Sequence, residues 1–150
     1  MRVNTLIIDD FYSNPNEVRE FALSQNFDVD GNYPGHRTVS HLDDGLKDSL
    51  QDLVEPFAGR VTNWGGDYSG SFQYTTADDR SWIHSDSTTG WAAVLYLTPD
   101  APVSSGTGLY KHKETGLCGW DNTKHTEEES SLAPHMTEAS DYTKWDLVDR

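Results

Sequence analysis

The sequence has a single cysteine, Cys118, so it forms no disulfide of its own and no cysteine-rich zinc site. A reducing, cytoplasmic setting is the expectation. It is also short of basic residues: Lys+Arg number 11 against Asp+Glu 25, a net charge of -14, and no run of Lys or Arg gathers the few there are. Phosphate backbones and anionic lipids are held by clustered cations, which argues against nucleic-acid and membrane partners. No apolar stretch approaches the roughly 20 residues needed to span a bilayer. The opening residues MRVNTLIIDDFY meet Asp9 and Asp10 before a secretory h-region can build up, so export is not expected. Hydrophobic residues make up only 35% of the chain. What is plentiful is aromatic: five Trp, seven Tyr and five Phe supply enough large apolar bodies to pack one domain from 150 residues.

Local signals predict two helices and then strands. Residues 5–9, TLIID, are β-rich and apolar. Asn14-Pro15-Asn16-Glu17 combines an N-cap, a proline at the first helical position and a capping-box acid, and Val18, Phe21 and Ala22 follow at helical spacing. Residues 31–35 carry turn chemistry. A second helix is predicted behind Asp43 or Asp44, with Leu46, Leu50, Leu53, Val54 and Phe57 on one face, ending near Pro56. From Arg60 the period falls to two, through 71–75, 82–84, 91–97 and a strand entered at Gly106. The run Trp91-Ala92-Ala93-Val94-Leu95-Tyr96-Leu97 is apolar on both faces, which predicts a central strand covered on two sides and closed by Pro99 and Pro102. Residues 118–141 are polar and read as an exposed excursion, after which 142–148 begins a further ordered element. The pattern is α+β in a single domain, 1–150. Residues 1–59 form a helical lead-in and 60–150 form strands of a sandwich or jelly roll with its helices on one side.

The residues with chemistry are His84 and Asp86. They sit where the short strand Trp82-Ile83-His84 gives way to a turn, and positions i and i+2 of a strand project from one face. An imidazole and a carboxylate side by side suit a metal. In a 2-His-1-carboxylate triad they occupy one face of an octahedral ion and leave the opposite positions open, the arrangement of non-haem Fe(II) oxygenases. About 0.7 such triplets are expected by chance in a chain with six His and seventeen Asp, so the surrounding text decides. His41-Leu42-Asp43 repeats the spacing, but there Asp43 is wanted as a helix cap.

That surrounding text carries a resemblance. Gln73-Tyr74, then Trp82-Ile83-His84-Ser85-Asp86, then Ala93-Val94-Leu95-Tyr96-Leu97-Thr98-Pro99, then Ser105-Gly106-Thr107-Gly108-Leu109-Tyr110 resembles the first half of the catalytic core of prolyl-hydroxylase-like Fe(II)/2-oxoglutarate-dependent oxygenases, in particular a branch found in phages and marine bacteria. Order and spacing match over residues 70–112, and Ile8-Asp9-Asp10-Phe11-Tyr12 resembles the lead-in of such proteins. The resemblance implies a double-stranded β-helix with two N-terminal supporting helices and Fe(II) held by His84 and Asp86. It also implies 2-oxoglutarate as cosubstrate touched by Tyr74 and Tyr96, consumption of dioxygen, and an unidentified substrate that includes protein side chains among its candidates. As strand aromatics, Tyr74 and Tyr96 are equally suited to core packing.

The family closes its triad with a distal histidine on a late apolar strand and follows it with an arginine that binds cosubstrate. Neither has a clear counterpart. His112 is too near in sequence, His125 lies in an acidic loop, and His135 follows Pro134 outside any apolar strand. Lys111 and Lys113 are substitutes for the arginine, and Arg150 is terminal. The chain stops where relatives enter the strand pair bearing the missing residues. The expectation is therefore a C-terminally incomplete core, inactive alone, with its third ligand beyond residue 150. The alternative is a non-catalytic jelly-roll binding or phage accessory module in which His84 and Asp86 merely pair. Zinc hydrolysis lacks the HExxH-like spacing it needs.

Overall fold

Proline at a first helical position sacrifices no hydrogen bond, because that N–H has no partner inside a helix. Helix α1 begins at such a residue: it spans Pro15–Leu23, with Asn14 at the N-cap position and Glu17 in its first turn. The computed structural model of the chain describes residues 5–84, 86, 89–118 and 142–149. After α1 come β1 (His36–Ser40), α2 (Asp44–Ala58), β2 (Ser71–Tyr74), β3 (Leu109–His112), a 3-10 turn at Tyr142–Lys144 and β4 (Trp145–Asp149). The class is α+β, with the strands in two antiparallel pairs. The chain divides into two compact units, residues 1–79 and 80–150.

In the first unit β1 and β2 pair His36 with Tyr74, Arg37 with Gln73 and Ser40 with Ser71, and the register slips between Arg37 and Ser40. Thr38 fills the slip. Only 1% exposed, it places its hydroxyl where a carbonyl would stand, accepting the Phe72 N–H at 3.0 Å and donating to the Val39 carbonyl at 2.7 Å. Phe21 of α1 meets His41 edge-on at 5.4 Å and Phe72 at 5.9 Å, beside the buried Ala22. Gly70 lets the chain close on itself here: its φ is +77° and a Cβ would strike the Leu42 backbone. Asp43 caps α2 as expected, its Oδ1 accepting the Leu46 N–H at 2.8 Å.

The expectations hold for one boundary and need correction elsewhere. Helix α2 ends near Pro56 as read, at Ala58, with Gly59 at φ 77° closing it. A proline in the final turn forfeits a single N–H bond, which the helix tolerates so close to its end. Residues 5–9 form no strand, and Ile7 is 85% exposed. Residues 91–97 are not a covered central strand either; they take no regular structure, and Trp91, Val94 and Tyr96 are exposed. Strand preference reflects packing against neighbours, and among the described residues nothing ladders onto either segment. One strand appears where a turn was read to lead straight to a helix: β1 lies between α1 and α2, inside the lead-in 1–59.

The first unit closes on a short turn in which Asp79 Oδ2 accepts the Thr76 N–H at 2.6 Å and the Thr76 hydroxyl at 2.9 Å. The backbone bond first, then the hydroxyl bond, hold the Asp79 carboxyl below the ordinary carboxylate range. A folded pKa below the unfolded one stabilises the turn above the unfolded value and ceases to do so as pH falls through the folded value. NMR titration of Asp79 is expected to show a midpoint below that of a peptide aspartate, and Thr76→Ala, which deletes only the hydroxyl bond, to move it part of the way back.

In the second unit β3 and β4 pair Tyr110 with Leu147, Lys111 with Asp146 and His112 with Trp145. Trp145 and Ile83, 6% and 8% exposed, form the core, with Tyr110 packed against them. The Trp145 ring also meets His112 edge-on at 4.9 Å. Lys113 Nζ donates to the Thr143 carbonyl at 2.6 Å and lies 3.8 Å from Asp146 Oδ1, pinning the 3-10 turn beside β4.

Candidate functional site

Residues 82–84, read as a strand, are not among the four strands. Within Arg80–His84 only Ile83 is buried, and Ser81 is exposed. The Tyr142 hydroxyl donates to the Ser81 carbonyl at 3.2 Å, and Ile83 packs on Trp145. The even-numbered side chains form a file. Arg80 lies over the Trp82 ring, 5.6 Å from its centroid; the Trp82 and His84 rings are 6.0 Å apart; and His84 Nε2 is 3.7 Å from Asp86 Oδ1. The last two side chains are 46% and 57% exposed, so solvent reaches the pair directly.

His84 is oriented from behind. Its Nδ1 lies 3.2 Å from the Trp82 carbonyl oxygen. A carbonyl only accepts, so the contact requires a proton on Nδ1, and in the neutral ring that leaves the Nε2 lone pair for a ligand. Metal-binding histidines are held in this way by a backbone or carboxylate acceptor. Two atoms each about 2.1 Å from a metal lie about 3.0 Å apart when they occupy adjacent positions of an octahedral ion, so the observed 3.7 Å is wider than one ion requires, and the two exposed side chains would close by about 0.7 Å to share it. Imidazole plus carboxylate is a donor set suited to a divalent transition metal.

Among the described residues no group of three His, Cys, Asp or Glu is placed to hold a metal. His112 is 4% exposed, with Nδ1 3.1 Å from the Thr115 hydroxyl. His125 and His135 lie outside the described residues, as does Arg150. Of the two tyrosines, Tyr74 belongs to the first unit, where its ring stacks on His36 at 5.0 Å and meets Phe27 edge-on at 4.9 Å. Tyr96 belongs to the second unit; its hydroxyl donates to Thr107 Oγ1 at 2.5 Å and accepts the Thr107 N–H at 2.9 Å. A separate open hollow of about 320 Å³ in the first unit is lined by Ser40, Lys47, Trp64, Asp67 and Ser69 among others.

Sequence reasoning brought His84 and Asp86 together but missed what holds them. The Trp82 carbonyl could not be read because a backbone acceptor carries no residue signature. The Ile83–Trp145 anchor joins residues far apart in the chain. The file Arg80, Trp82, His84, Asp86 was legible by carrying the two-residue period back past Trp82.

One family model matches residues 2–146, and its description is a family of unknown function, DUF6445. No curated protein and no solved structure matches the chain.

Proposed function

The chain belongs to DUF6445, a family of unknown function, and from its own residues we propose that it is an Fe(II)- and 2-oxoglutarate-dependent oxygenase built on a double-stranded β-helix. The observation that carries this reading is the pair itself: His84 Nε2 and Asp86 Oδ1, 3.7 Å apart on one exposed face, with His84 Nδ1 against the Trp82 carbonyl. Support for the fold comes from two antiparallel strand pairs with two helices in the first unit. Support for the chemistry comes from the text around the pair, which resembles that superfamily over residues 70–112.

In this reading His84 and Asp86 supply two ligands to the ion, and a third is contributed by a histidine outside the described residues. With 2-oxoglutarate and dioxygen, such an ion supplies oxidative decarboxylation of the keto acid coupled to hydroxylation of a bound substrate. The protein's share is placement. The Trp82 carbonyl fixes the His84 tautomer, Ile83 packed on Trp145 holds the segment beneath, and Asp86 brings negative charge to offset that of the cation. Tyr96, whose hydroxyl is paired with Thr107, is the proposed contact to 2-oxoglutarate within the second unit.

Anaerobic addition of Fe(II) and 2-oxoglutarate is expected to produce a weak visible charge-transfer band that His84→Ala abolishes. Absence of the band, with no binding of Mn(II) or Fe(II), would favour the non-catalytic module, in which the same 3.7 Å approach is a simple pairing of imidazole and carboxylate.

A further inference from the structure

Arg80 lies over an aromatic ring, as Arg37 does over Tyr33 and Tyr68, but beside His84 and Asp86. The chain has 25 acidic residues for 11 basic ones, yet among the described residues no carboxylate pairs with Arg80, whereas Lys47 pairs with Asp44 and Lys113 with Asp146. Its partner is an aromatic face instead. The guanidinium carbon lies 5.6 Å from the Trp82 ring centroid, and the same ring lies 6.0 Å from His84. A guanidinium held over an indole keeps its N–H edge free, and that edge matches a planar two-oxygen acceptor. The contacts from Arg80 through Trp82 to His84 and Asp86 put the guanidinium in one file with the two donors, while the Ser81 carbonyl and Ile83 fasten the same segment to Tyr142 and Trp145.

We propose that Arg80, laid over Trp82, is the anchor for a carboxylate carried by the substrate of this site. The wording "substrate" rests on the oxygenase reading; the anion site itself does not. A net charge of -14 repels anions at long range, so selection of a carboxylate here has to be local, made by one preorganised guanidinium. The carboxylate belongs either to a free diacid or to an acidic side chain of a polypeptide, and the two are separable by experiment.

The metal-free full chain is titrated with glutarate and, separately, with N-acetylaspartate amide, following the Trp82 indole N–H by NMR after assignment with Trp82→Phe. The expected result is a saturable shift with at least one of them. Arg80→Ala raises the dissociation constant about tenfold or more, as for loss of a charge-assisted hydrogen-bond pair. Arg80→Lys, which keeps the charge and loses the fork, recovers part of the affinity, and both variants bind Mn(II) as the wild type does. Preference for glutarate identifies a free diacid, and preference for the blocked aspartate identifies an acidic peptide. Wild-type affinity in Arg80→Ala, or no Trp82 shift with either ligand, overturns the anchor. Failure of the wild type to bind Mn(II) while Arg80-dependent glutarate binding persists overturns the oxygenase reading and leaves the anion site standing.

Discussion

Replacing His84 with alanine is expected to weaken Mn(II) binding at least a hundredfold, and Asp86→Ala to do the same, with the fold unchanged by circular dichroism. Mn(II) serves as a stand-in for Fe(II) that does not oxidise during the titration. Loss of an outer-shell partner alone typically lowers metal affinity about 10–100-fold, so removal of a ligand sets the larger figure. Both side chains are about half exposed, and neither contributes to the Ile83–Trp145 core, which is why truncation should spare the fold. Asp86→Asn separates charge from shape: it keeps an oxygen in place and removes the negative charge that offsets the cation. Isothermal titration of the three variants reads all of this, and affinities within threefold of the wild type would remove the pair from consideration as a metal site.

The second large effect is structural. Trp145→Ala is expected to destabilise the second unit by about 3–5 kcal/mol, the usual cost of emptying a buried aromatic site. Trp145 is 6% exposed, packs against Ile83 and receives the edge of His112. Whole domains are stable by only about 5–15 kcal/mol, so urea unfolding followed by fluorescence should move to markedly lower denaturant. Mn(II) affinity should fall as well, although Trp145 touches neither ligand, because Ile83 lies between His84 and Trp82 in sequence and loses the surface it rests on. Trp145→Phe, which keeps an aromatic ring in the space, is expected to restore most of both. An unchanged urea midpoint for Trp145→Ala would show that the second unit is held by other contacts.

The parts of this structure that sequence revealed are those set by neighbours along the chain. Asn14 and Pro15 located the start of α1, Asp43 the cap of α2, and the two-residue period the one-sided placement of His84 and Asp86. Each depends on contacts within a few residues. The misreadings share the opposite property. Trp91 to Leu97 has the composition of a core strand, but composition does not supply a neighbouring strand, and the segment is irregular and largely exposed. In β1 the turn residues 31–35 masked Arg37-Thr38-Val39, whose strand character depends on pairing with β2, more than thirty residues later in the sequence. The candidate site divides along the same line: two donors two residues apart were visible, whereas the scaffold beneath them is assembled from the far end of the chain.

That last arrangement has a consequence for biosynthesis. The Ser81 contact with Tyr142 spans 61 positions, so this contact and that of Ile83 with Trp145 form only once translation has passed residues 142–145. At roughly 5–20 residues per second, several seconds separate the synthesis of the donors from that of their foundation. If the pair holds an ion, its capture in that geometry is therefore a late event, after residues 142–149 have left the ribosome.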